Sequence, residues 1–111
     1  MKILIPTEGE DINCSISENF SKSDHFLLID LKNDTWQVLK YKENNIEKFK
    51  NILENAIAQH VSAIIVKNIK PKLFLFVKEL GLKIYQCEKC TAKEAEDQFK
   101  KNKLPILIDP H

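Results

Sequence analysis

Cys87 and Cys90 are separated only by Glu88 and Lys89 in "KIYQCEKCTAKEAEDQF" (residues 83–99). An apolar run that reads as a strand precedes them, and a stretch that reads as a helix follows. Soft thiolates select iron–sulfur, copper or zinc. Thr91 with Glu94 has the spacing of a capping box, so a helix starts just after Cys90. Free N–H groups and the dipole at such a helix start favour thiolate over thiol. A closed zinc site needs four ligands. Cys14 and His25 are the candidates for the rest, and the neighbouring Asp24 carboxylate could orient His25. Three readings of the cysteine pair stay open: metal or cluster ligands together with Cys14 and His25, a thiol redox pair, or two thiols at a turn without chemistry. The plainer readings are that Cys14 is a small loop residue and His25 a polar residue opening a strand.

Lysines are the second group. Lys22, Lys67 and Lys70, with Lys72, flank the same end of the expected sheet as a helix N-terminus at Pro71. Backbone N–H groups at such a terminus receive anions, so the group could hold phosphate or an anionic cluster. Against this, the 17 basic residues are scattered along the whole chain.

Other chemistries are poorly served. Glycine occurs only at Gly9 and Gly81, which excludes Gly-rich phosphate loops and dinucleotide fingerprints. Ser15 and Ser17 have no evident base partner. The first strand carries no acid, so a two-metal nuclease lacks its ligands. A net charge of +1 gives no global pull toward nucleic acid or anionic membrane. No apolar run approaches the ~20 residues that span a bilayer. The start, "MKILIPTEGE", is too short in apolar residues for an export signal. Cysteines without such a signal point to a reducing cytoplasm.

These residues need a scaffold, and 111 residues suit one domain with one core. "KILIP" (2–6) reads as a buried strand, and residues 7–24 as a long polar loop, about three times the usual connection. "HFLLIDL" (25–31) and "TWQVLKY" (35–41) form an antiparallel hairpin across a short turn. Ile46, Phe49, Leu53, Ala56, Ile57 and His60 make a helical stripe. His60 is explained by the helix C-terminus, where a cation gains about 0.3–1 kcal/mol. "SAIIV" (62–66) is a strand. Pro71 opens a helix over 72–80 that is apolar on nearly every side, capped by Gly81. "LKIYQ" (82–86) is the fifth strand, and the last helix runs from Thr91 to about Asn102. "LPILIDP" in the tail (104–111) reads as an extra edge strand or a partner-binding segment, which leaves a homodimer open through strand addition.

The expected fold class is α/β, with a five-stranded mixed sheet, strand two antiparallel and helices on both faces. Loops 7–24, 67–70 and 87–90 then gather at the carboxyl ends of the strands, where such sheets bind ligands.

"ILIPT" (3–7), "ISENFSKSDHFLLIDL" (16–31), "KEN" (42–44), "SAIIVKNIKPK" (62–72) and "LGLKIYQ" (80–86) occur in this order. Together they resemble the dinitrogenase iron-molybdenum cofactor biosynthesis family, the group of NifX-like and NafY-like proteins. Ser17 with Phe20, and Ile69 with Pro71, are the more specific pieces. The resemblance implies a three-layer ribonuclease H-like fold. It also implies binding or carriage of a metal-sulfur cluster of iron-molybdenum type, cofactor-assembly or acceptor proteins as partners, and no turnover of its own. Where the family has Phe-Gly-Arg, this chain has Phe20-Ser21-Lys22, which keeps the charge without the arginine fork. Lys67 and Asn68 replace family glycines. The other readings are an interaction module of the same fold that has lost the ligand, and a thiol redox protein using Cys87 and Cys90.

Overall fold

The computed structural model describes residues 1–41, 46–88 and 90–107. The "KEN" segment (42–44), Lys89 and residues 108–111 of the tail lie outside the described residues. In chain order come β1 (Lys2–Thr7), a 3-10 turn (Phe20–Lys22), β2 (His25–Asp30), β3 (Thr35–Lys40), α1 (Ile46–Ala58), β4 (Val61–Val66), α2 (Pro71–Glu79), β5 (Lys83–Gln86) and α3 (Ala92–Lys100). The sheet order is β3-β2-β1-β4-β5. β2 is antiparallel to both neighbours, while β1, β4 and β5 run parallel. This is the expected mixed α/β sheet.

The central strands are apolar without alternation because both faces are covered. Leu4, Phe26, Leu28, Ile64 and Ile84 point to one face, where α1 contributes Ile52, Leu53 and Ala56 and α2 contributes Phe74 and Val77. Ile3, Ile5, Leu27, Ile29 and Ile65 point to the other, against Ala92 and Ala95 of α3 and Ile16 of the long loop. The side-chain period of two therefore splits each strand between two cores. Crossovers from β3 to β4 and from β4 to β5 place α1 and α2 together on one face, and the helix after β5 returns on the other.

The helix ends follow local chemistry. Pro71 is the first residue of α2, and Gly81 after it has φ 83°. Thr91 and Glu94 form the full capping box of α3. After α1, His60 takes the left-handed position usually given to glycine, with φ 64° and its N–H donated to the Ile57 carbonyl. The buried Glu96 of α3 lies 2.9 Å from Lys100, which also reaches Asp34 in the β2–β3 turn at 3.8 Å. The Glu96 carboxylate holds the Lys100 ammonium above its usual range.

Residues 104–107 run back antiparallel to β5. Gln86 N–H donates to the Pro105 carbonyl, Leu107 N–H to that of Ile84, and Leu107 is buried. Of the two readings of the tail, residues 104–107 take that of an extra edge strand, beside β5.

Replacing His60 with glycine should raise stability by up to about 1 kcal/mol, since the left-handed penalty outweighs the added unfolded-state freedom. Urea denaturation followed by circular dichroism checks this. Because the Lys100 pKa is raised, its contribution is present at neutral pH and should be lost as the pH climbs beyond 10.5. Lys100→Met should flatten that alkaline decline.

Candidate functional site

The loop between β1 and β2 is tied down by polar contacts and by one aromatic ring. Phe20 is fully buried, with its ring 5.4 Å from Phe26 and 5.8 Å from Phe49 of α1. Its N–H donates to the Asn68 carbonyl, and the Asn68 amide donates to the Glu18 carbonyl. Ser17 Oγ donates to Ser23 Oγ at 2.9 Å. Ser23 Oγ lies 3.0 Å from the Thr7 carbonyl and 2.7 Å from that of His25, so its single proton serves either. Thr7, Ser17 and Ser23 are all buried. A buried hydroxyl without a partner costs about 1–3 kcal/mol, so this chain of bonds specifies the loop path.

Within the loop, residues 15–17 return beside the end of β1. Glu8 N–H donates to Ser15, Ser17 N–H to Pro6, and Thr7 faces Ile16 across an antiparallel bridge. The other edge of the same segment meets the start of α3. Ile16 N–H donates to the Cys90 carbonyl, Ala92 N–H to that of Cys14, and Ser15 faces Thr91.

A cleft of about 400 Å³ opens beside this segment, lined by Thr7, Glu8, Ser17, Glu18, Asn19, Lys22, Ser23, Asp24 and His25. It lies at the carboxyl end of β1. Two of its acids are engaged with lysines. Glu18 pairs with Lys67 at 2.8 Å, and Asp24 with the buried Lys48 at 3.3 Å. His25 Nε2 lies 3.6 Å from Glu10 Oε1, which also pairs with Lys40. Lys22 is exposed on the cleft wall.

The sequence candidates therefore separate into groups. Lys22 and His25 share the cleft. Lys67 is turned to Glu18, and Lys70 is an exposed residue at the start of α2, outside the cleft lining. Cys87 and Cys90 are joined as a disulfide with Cα atoms 6.2 Å apart. Cys87 is buried in the core on the α3 face, and Cys90 is partly exposed. Cys14 is a free thiol. Its sulfur fills the space beside Gly9, where an added Cβ would lie 2.6 Å from it.

His25 on β2 stands three strand spacings, about 14 Å, from the segment after β5. Metal bonds to sulfur and nitrogen are about 2.0–2.3 Å, so His25 and Cys87 do not share one ion in this arrangement. Among the described residues no group of three or more His, Cys, Asp or Glu side chains converges to hold a metal ion. Cys87 and Cys90 supply thiolate donors only when the bond between them is reduced.

Two contributors escape a linear reading. Lys48 shares a helical stripe with Ile52 and Ala56, and that spacing alone marks it as facing inward. Ser23 carries no comparable signal, because its partners (the Ser17 hydroxyl and the Thr7 and His25 carbonyls) meet it only through the path of the folded loop.

Residues 1–102 match the family described as dinitrogenase iron-molybdenum cofactor. The chain belongs to this family. An uncharacterized protein of Methanocaldococcus jannaschii is 27% identical over 109 residues, covering 94% of this chain and 89% of its own. The apo form of the orange protein from Desulfovibrio gigas superposes with a TM-score of 0.84 at 15% identity, over 99% of this chain and 95% of that one. At such identity the likeness is one of fold. Within the family frame, Ser17 and Phe20 are the two residues that seat the loop, and they belong to the motif piece "ISENF".

Phe20→Ala should destabilise the protein by about 3–5 kcal/mol and free the amides of residues 7–24 to exchange with deuterium. Gly9→Ala should cost about 1 kcal/mol by displacing the Cys14 sulfur. The double variant Gly9→Ala/Cys14→Ala should recover most of that loss in a denaturation cycle.

Proposed function

We propose that this protein binds a metal–sulfur species as cargo and passes it on during cofactor assembly, as a carrier without turnover. Membership of the iron-molybdenum cofactor family supports a cofactor-binding or assembly role. The observation that carries the finer reading is the segment 15–17. One edge borders the cleft through Ser17, and the other is hydrogen-bonded to Cys90, whose carbonyl accepts the Ile16 N–H. Two features that the sequence left far apart thus adjoin one backbone segment.

In this reading Lys22 and His25 draw the anionic cargo to the cleft, apart from the cysteines that ligate it. Lys67 and Lys48 hold Glu18 and Asp24, which limits repulsion of an anion there. Lys70 adds only to the field at the rim. Cys87 and Cys90 become ligands after a dithiol reductant delivers two electrons and two protons to their bond. A reducing cytoplasm keeps them in that form, and an acceptor protein of the assembly route receives the cargo.

The test uses protein purified without oxygen, reduced with dithiothreitol, then mixed with ferrous iron, sulfide and molybdate and desalted. Retained metal with visible sulfur-to-metal absorption is expected. Cys87→Ser and Cys90→Ser should lower retention about tenfold or more. A wild-type protein that emerges free of metal and colourless would sink the carrier reading.

The Cys87–Cys90 bond favours a second reading, a thiol–disulfide protein. Equilibration with glutathione buffers separates the two. A potential between about −180 and −270 mV, with turnover of a test disulfide, supports redox exchange, whereas a value below about −300 mV marks a structural bond.

A further inference from the structure

The two edges of the sheet end differently. Residues 104–107 lie along β5, while among the described residues no strand or bridge lies along the outer side of β3. β3, "TWQVLK", holds no proline or glycine, and pairs with β2 residue for residue from Thr35 opposite Asp30 to Lys40 opposite His25. It thus lacks the prolines and bulges that blunt open edges, and keeps one lysine at its end. The ladder fixes which backbone groups face outward. Tyr41 N–H donates to the Asp24 carbonyl on the β2 side. Antiparallel bonding alternates, so Thr35, Gln37 and Leu39 also turn their backbone groups to β2, and Trp36, Val38 and Lys40 turn theirs to the open edge. The Trp36 side chain is 42% exposed.

We propose that this edge pairs with β3 of a second copy, antiparallel about a two-fold axis through Gln37, so that two five-stranded sheets become one. The strand is complementary to itself in that register. The outward groups of Trp36 meet those of Val38 in the other copy, twice by symmetry. Both side chains lie on the α3 face, since Trp36 is opposite Ile29 and Val38 opposite Leu27 in β2. An aromatic ring against a β-branched residue is a favourable cross-strand pair. Asp34, at the head of the strand, comes opposite Lys40 at its end, and both are exposed. Neighbouring registers lose this match. An axis through Trp36 sets Lys32 against Lys40, two like charges. An axis through Val38 sets Trp36 against Lys40 and takes Asp34 away from it. A foreign strand would need the same order of acid, aromatic, β-branched residue and base, which a second copy supplies by construction. Lys40 also pairs with Glu10, which contacts His25, so the joint ends beside the cleft. The proposal stands on the strand edge alone and does not depend on the cargo reading.

A joint one strand deep is a small interface, so the full chain is followed by sedimentation velocity over about a hundredfold range of concentration reaching millimolar. A shift from monomer to dimer is expected. Hydrogen exchange locates the joint. Where about nine tenths of the protein is paired, the Trp36, Val38 and Lys40 amides should exchange about tenfold more slowly than in dilute protein, with Gln37 and Leu39 unchanged. Val38→Pro removes an N–H that β2 does not use, and should abolish the dimer while circular dichroism shows the fold kept. A charge exchange tests the register without touching the ladder. Asp34→Lys alone and Lys40→Asp alone each set like charges face to face at both ends of the joint, and each should stay monomeric. Their equimolar mixture restores both opposite-charge pairs and should dimerise. A wild-type chain that stays monomeric throughout would overturn the proposal and leave the edge to a foreign strand. A dimer that leaves the three outward amides unchanged, or a mixture no more associated than its components, would overturn it as well.

Discussion

One aromatic ring holds the candidate site together. Phe20 sits in a polar loop of eighteen or so residues, yet its side chain is fully buried against Phe26 and Phe49. A loop of that length loses much conformational freedom when it is ordered, and exposed polar contacts would not offset that cost. Burial of an aromatic side chain contributes enough to fix one point of the path. Ser17 and Ser23 then fix two more through hydrogen bonds that water cannot easily replace. With those points set, the cleft wall and the segment 15–17 have little freedom left.

Charge is arranged around this loop as bound pairs. Lys48 on α1 is buried and reaches Asp24, while Lys67 after β4 reaches Glu18. Each pair joins the loop to an element that follows it in the chain. The exposed Lys67 pair contributes about 0–1 kcal/mol at most, so its role is placement of the carboxylate more than stability. The near-neutral total charge of the chain hides this local order. The two faces of the sheet also differ in chemistry. Sulfur lies on the α3 face, and the unspent apolar surface lies over α1 and α2.

Much of the fold was legible in the sequence because its signals are local. Pro71, Gly81 and the Thr91–Glu94 capping box mark helix ends by backbone chemistry that needs no tertiary partner. The apolar runs of β1, β2 and β4 announce strands buried on both faces, and the short 31–34 connection forces an antiparallel pair. The site was less legible. Cys14, His25, Cys87 and Cys90 do reach the same end of the sheet, but being at one end does not bring side chains within a bond length. Strand spacing alone keeps His25 apart from Cys87. The tail was half legible for a related reason. Its apolar pattern says that it pairs, and says nothing of whether the partner is β5 or another chain.

The sequence by itself determined the elements, their order and direction, the family, and the short list of residues able to do chemistry. These rest on propensity, periodicity and capping, which act between residues close in the chain. Only the tertiary structure decided that Phe20 is the anchor, that Lys67 and Lys48 are held by acids, that Cys14 packs on Gly9, and that residues 104–107 close the β5 edge. Apart from the local Cys14–Gly9 contact, these depend on contacts across long stretches of chain, where packing and hydrogen-bond satisfaction choose among partners that the sequence leaves equivalent.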